Sequence, residues 1–128
     1  MDETERYQNG MATRRAVLGE AYVDKANAAV TPFNSDFQEF ITRIAWNDIW
    51  NRPGLDRRAR SIIVLSIATA LGAWGEFRIH VRGALNNGLS RDEIKEVLIQ
   101  AGVYAGVPAA NHAFKEAAGV FAEIDAEG

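Results

Sequence analysis

Apolar residues recur along this chain at intervals of three and four, and strand-like alternation is nearly absent. The pattern predicts an all-α protein, a single-domain helical bundle of about six to seven helices. Residues 3–19 read as a polar helical arm ending near Gly19. A second short helix runs from about Glu20 to Ala29 and stops near Pro32. A third covers roughly Asn34 to Trp50, with Phe37, Phe40, Ile41, Ile44 and Ala45 at helical spacing on one side. Asn51-Arg52-Pro53-Gly54 is a break, because Pro and Gly both end helices. Residues 1–32 are therefore expected to form an N-terminal arm and 33–128 the helical core of one domain overall.

The fourth helix, about Arg57 to Leu71, carries Ile62, Ile63, Val64, Leu65, Ile67, Ala68, Ala70 and Leu71 around almost its whole circumference. Such a helix is expected to be central and buried. In a chain of 128 residues this suggests that neighbouring subunits help to cover it. A fifth helix, Trp74 to Asn86, is closed by Asn87-Gly88, glycine being the favoured left-handed residue past a helix end. Ser90-Arg91-Asp92-Glu93 is a capping box that opens a sixth, in which Ile94, Val97, Leu98, Ala101 and Ala105 form an apolar stripe. Gly106-Val107-Pro108 precedes a last helix from Ala109 to Ile124.

Charge narrows the class. With 14 basic and 17 acidic residues the net charge is −3, which argues against a general binder of nucleic acid or anionic membrane. No cysteine is present, so thiolate nucleophiles, disulfides and cysteine-ligated zinc are excluded. The charged N-terminus lacks the apolar stretch of a signal peptide. The apolar run from Ile62 to Leu71 is too short for a bilayer. A cytoplasmic protein is the expectation.

Motifs for phosphate loops, nucleophile elbows and paired-histidine metal sites are missing. With His80 and His112 as the two histidines, a metal site is not expected. Glu76 and His80, four apart, share a face of the fifth helix. A carboxylate beside an imidazole favours its protonated form, a useful general acid near neutral pH. The same spacing equally describes a surface ion pair. Arg43 and Arg58 are candidates to clamp a carboxylate through the guanidinium fork. Trp46, Trp50 and Tyr104 are candidates to wall a pocket, or else core and subunit contacts. Arg78 and Arg82 fall on the other side of the fifth helix from Glu76 and His80. His112 reads as structural.

Several stretches carry a sharper signal. Arg14-Arg15-Ala16-Val17-Leu18-Gly19, Phe40 to Trp46, Ile49 to Asp56, His80 to Gly88, Asp92 to Leu98 and Tyr104 to Asn111 agree in order and spacing with one family. The chain resembles the 4-carboxymuconolactone decarboxylases, of the alkylhydroperoxidase-like superfamily, from about Arg14 to Glu123. Where wider relatives carry Cys-x-x-Cys, this chain has Ala73 and Glu76, while His80 matches their histidine. That departure removes peroxidase chemistry and leaves the histidine for acid–base work.

The resemblance implies a cofactor-independent decarboxylation of 4-carboxymuconolactone to 3-oxoadipate enol-lactone, in the protocatechuate branch of the β-ketoadipate pathway. It implies a small lactone carboxylate as the partner, no cofactor, no metal, and a homo-oligomer, a hexamer. On this reading His80 protonates, Glu76 orients it, and Arg43, Arg58, Trp46, Trp50 and Tyr104 bind substrate. Two alternatives stand beside it. One is the same fold acting on another lactone or keto acid. The other is a non-catalytic oligomeric module that binds dicarboxylates.

Overall fold

A computed structural model describes all residues, 1–128. The chain is helical throughout, with α1 (Glu3–Leu18), α2 (Glu20–Ala28), α3 (Ser35–Ile41), a π-helical segment (Thr42–Ile49), α4 (Arg57–Leu71), α5 (Trp74–Asn86), α6 (Arg91–Ala105) and α7 (Val107–Glu127). Packing divides it into two compact units, residues 1–56 and 57–128. Residues 33–56, which the sequence pattern groups with the core, pack with the N-terminal helices, because the π segment lies against α1.

In the N-terminal unit α1 begins with a capping box. The Asp2 carboxylate accepts from the Glu5 N–H at 2.8 Å, and the Asp2 N–H donates back to Glu5 at 3.3 Å. Gly10 lets α1 approach the π segment closely. A Cβ built on Gly10 would lie 2.1 Å from the Thr42 carbonyl oxygen. Around this crossing Arg6 pairs with Asp48, and the Thr13 hydroxyl donates to Asn51 Oδ1 at 2.9 Å. Val17, Leu18, Val23, Trp46 and Trp50 are the buried apolar residues of this unit.

The third helix does not bury the face expected of it. Phe37, Phe40 and Ile44 are exposed, while Thr42, Trp46 and Trp50 are buried. From Thr42 onward the coil changes. The Trp50 N–H donates to the Ala45 carbonyl at 3.0 Å, five residues back. A π turn takes more residues than the 3.6 of an α-helix, so the inward stripe shifts to positions four apart. Trp46 and Trp50 accordingly stack, with ring centroids 5.2 Å apart.

The C-terminal unit is built around α5. Phe77, Val81 and Ala84 on that helix are fully enclosed. They pack with Leu65 and Ala68 of α4, Ile94 and Leu98 of α6, and Ala113, Ala117 and Val120 of α7. The end of α5 forms a Schellman motif: the Gly88 N–H donates to Leu85 O and the Leu89 N–H to Ala84 O, both at 3.0 Å. Gly88 has φ 98°, which a side chain would strain, and Leu89 is buried beside the motif. The Ser90–Glu93 capping box then forms as the sequence indicates, with reciprocal bonds of 3.0 and 2.9 Å.

Two further expectations are refined by the structure. The fourth helix is not buried all round within the chain: Ile62, Ile63, Ile67 and Leu71 are exposed, and Ser61, Leu65, Ala68 and Thr69 face inward. Three helices of one small unit cover only one side of it. The last helix starts at Val107 rather than Ala109, since Pro108 sits in its first turn, where a missing N–H costs nothing.

Replacing Gly10 by Ala forces a methyl group against backbone rather than a yielding side chain. We expect Gly10→Ala to destabilise the protein by about 1–3 kcal/mol, read as a lower urea midpoint at unchanged slope. An unchanged midpoint would contradict this close crossing of α1 and the π segment.

Candidate active site

Helix α5 places Glu76 and His80 on one side, one turn apart. His80 is only 5% exposed, and its Nε2 lies 3.9 Å from Glu76 Oε2. Glu76 itself is largely in water, with its side chain 69% exposed. Burial therefore decides the state of the ring. Desolvation pushes the His80 imidazole down from its ordinary 6.5 to about 4, because a low-dielectric interior disfavours the charged form. This corrects the expectation that Glu76 holds the ring protonated: a solvated carboxylate at 3.9 Å is too weak to offset that burial. At neutral pH the His80 ring is neutral.

The other candidates are divided between the two units. Tyr104 is on α6, 87% exposed, and lines a hollow of about 520 Å³ between α4 and α6 together with Ile62, Ser66, Val97, Gln100 and Glu93. His80 and Glu76 are not among the residues lining it. Arg58 binds Glu93 and the Gly88 carbonyl oxygen. Hydrogen bonds from the Ser90 backbone and then from Arg58 hold the Glu93 carboxyl below its usual range. In the N-terminal unit, Trp46 and Trp50 are buried against each other. Arg43 pairs with Glu3 at 3.0 Å. Both candidate clamps are thus engaged with carboxylates of their own unit.

Arg78 and Arg82 take the opposite side of α5, as their spacing requires. They bind Glu116, Glu123 and Glu127 and clasp α5 to α7. His112 stacks on Trp74 with centroids 4.1 Å apart and sits 3.3 Å from Glu116, a structural role. No group of three acidic or histidine side chains comes close enough to hold a metal ion.

One residue carried more than its spacing revealed. Arg14 is 7% exposed and borders a hollow of about 270 Å³ in the N-terminal unit. Its Nε is shut from solvent without a hydrogen-bond partner. The doubled Arg14-Arg15 was the available signal, but a polar helix with two arginines suggests two solvated ones. Only Arg15 behaves so, bound to Glu20 and Asp24.

Comparison with known proteins decides the lineage. A family model for carboxymuconolactone decarboxylases matches residues 35–119. The chain belongs to the carboxymuconolactone decarboxylase family. Within it, the chain is 42% identical to a 4-carboxymuconolactone decarboxylase of Acinetobacter baylyi over 124 residues, 97% of this chain and 92% of that one. It is 44% identical to a nitrosuccinic acid decarboxylase of Metarhizium robertsii over 109 residues, 84% of this chain and 76% of that one. A 4-carboxymuconolactone decarboxylase of Pseudomonas putida is 54% identical over 48 residues, 38% of this chain and all of that sequence. This family member is a carboxy-lyase, and none of its helices is long and apolar enough to cross a membrane.

The state of His80 has a measurable signature. The unfolded ring titrates near 6.5 and the folded ring near 4. Between those values only the unfolded chain takes up the proton. Stability is therefore unaffected by this group above about pH 6.5 and falls as the pH drops toward 4, by roughly 3 kcal/mol at most. The difference in unfolding free energy between wild type and His80→Gln should follow that curve. In nuclear magnetic resonance titrations Glu76→Gln should leave the His80 midpoint nearly unmoved, whereas a downward shift of a full pH unit would make the carboxylate, not burial, the controlling influence.

Proposed function

We propose that this enzyme decarboxylates 4-carboxymuconolactone to 3-oxoadipate enol-lactone without a cofactor. The observation that carries the reading is the 42% identity to a decarboxylase of that name across 97% of the chain. The buried histidine on α5 supplies chemistry to match. In the substrate, the ring carbon bearing the carboxylate is saturated and lies next to the ring alkene, which is itself conjugated to the lactone carbonyl. When the bond to the carboxylate breaks, carbon dioxide leaves and the electron pair passes into a dienolate. The substrate thus acts as its own electron sink. One proton must then be delivered to the ring carbon beside the carbonyl.

We assign that delivery to His80, oriented by Glu76. The ring is neutral at neutral pH, so the acid form has to be generated as substrate binds. A substrate carrying two carboxylates brings the counter-charge that raises a buried imidazole's affinity for a proton. His80 then gives its proton to carbon, returns to neutrality and is recharged from water, one proton per turnover. An enclosed wall such as that around His80 also favours loss of carboxylate charge as carbon dioxide forms. Arg43, Arg58, Trp46, Trp50 and Tyr104 remain proposed substrate contacts. For Arg43 and Arg58 this requires exchange of Glu3 and Glu93 for a substrate carboxylate.

The enzyme is proposed to act in the cytoplasm, in protocatechuate catabolism, with no nucleic-acid or membrane partner. Association of subunits, in the family resemblance a homohexamer, is supported by the exposed Ile62, Ile63, Ile67 and Leu71 on α4, since large apolar side chains gathered on one helix mark interaction surfaces. A second reading has its own support: the 44% identity to a nitrosuccinic acid decarboxylase favours a different small acid as substrate.

Carbon dioxide release from freshly generated 4-carboxymuconolactone tests the first reading, with nitrosuccinate as the competing substrate. Faster turnover of nitrosuccinate would replace it with the second. His80→Gln should lower kcat by about 10²–10⁴, the usual contribution of a positioned acid, and an unaltered kcat would remove His80 from the chemistry.

A further inference from the structure

The hollow bordered by Arg14 in the N-terminal unit has no assigned role. Its lining includes Tyr7, Asn27, Ser35, Gln38 and Glu39. At about 270 Å³ it lies near the lower limit of the ~300–1,000 Å³ typical of small-molecule pockets. A guanidinium stays charged at every physiological pH. Buried charge is ordinarily paired, because an unpaired one forfeits its hydration with nothing in return. Arg14 makes no ion pair, and its Nε has no acceptor. Glu39, the one carboxylate on the lining, is exposed and does not reach it.

The surrounding side chains are suited to an oxygen-bearing guest. Tyr7 and Ser35 carry hydroxyls, and Gln38 an amide. The Asn27 amide donates only to the Met11 sulfur at 3.8 Å, a weak acceptor that an anionic oxygen would outcompete. The positive charge here is a single one, since Arg15 is taken by Glu20 and Asp24. One planar guanidinium with neutral donors around it matches a singly charged planar head group.

We propose that this cavity is a binding site for a small aliphatic carboxylate, held by the Arg14 fork with Asn27 as a supporting donor. The bound carboxylate supplies the acceptor that the buried guanidinium lacks. A phosphate group, with its greater charge, would need a second cation that the cavity does not offer. The assignment concerns binding and stands apart from the decarboxylase reading, since it can be measured without turnover.

The test is calorimetric titration of the full chain with acetate, succinate and adipate, with inorganic phosphate as the contrasting anion. At least one carboxylate should bind wild type at one per chain and weaken about 10- to 100-fold in Arg14→Gln, the range expected for charge-assisted hydrogen bonds. Arg14→Lys, which keeps the charge but loses the fork, should fall between. Should Arg14→Gln fail to fold, crystals of wild type soaked in adipate replace it, with a carboxylate expected on the guanidinium. The proposal is overturned if none of the three acids binds wild type. It is equally overturned if binding is indifferent to Arg14, if phosphate binds more tightly through the same residue, or if a carboxylate from a neighbouring copy occupies Arg14 in the crystal. Steady-state kinetics of Arg14→Gln then identify the guest. A rise in KM at near-constant kcat makes the cavity part of the substrate site, and unchanged kinetics with lost binding make it an effector site, both in keeping with the proposal.

Discussion

The C-terminal unit depends on the complete burial of the inward side of α5. Phe77, Val81 and Ala84 are enclosed by three other helices, and the opposite flank is tied to α7 by Arg78 and Arg82. A helix held from both sides has no freedom to rotate, and His80 is carried on it. The apolar contacts that stabilise the unit are therefore also what strip water from the imidazole. Stability and the electrostatic state of the candidate acid share one cause, so the histidine's proton affinity is a property of the packing more than of any neighbour on its own helix.

The N-terminal unit solves a different problem. It buries few large apolar side chains, and it compensates by close backbone approach and by charge. Gly10 brings α1 onto the π segment, and Arg6, Thr13, Asp48 and Asn51 fasten the crossing. The wide coil turns Trp46 and Trp50 inward as a stacked pair. In this setting an unpaired interior arginine stands out, because every other arginine with a defined partner in the unit meets a carboxylate.

Much of the fold was legible because the signals are local. The bounds of α4 and α5, the capping box at Ser90 and the glycine stop at Gly88 follow from residue chemistry within a few positions. The π segment was not legible: nothing in Thr42–Ile49 distinguishes a five-residue hydrogen bond from a four-residue one, and the wider turn puts Thr42, Trp46 and Trp50 rather than Ile44 on the buried side. For the candidate site, spacing put Glu76 and His80 together correctly. It could not weigh burial against a neighbouring charge, since exposure of each group is set by helices distant in sequence. Arg14 was hidden for the same reason.

The guanidinium of Arg58 gives one nitrogen to the Gly88 carbonyl and another to Glu93. It thereby joins the start of α4, the end of α5 and the capping box of α6. A lysine, with its charge concentrated at one atom on a flexible stem, does not span two acceptors in the same way. Position 58 is consequently closed to the commonest basic exchange whether or not substrate ever touches it. An arginine retained there through long divergence would record the architecture of three helix ends, and persistence alone would be a poor guide to which arginines in such a protein meet the substrate.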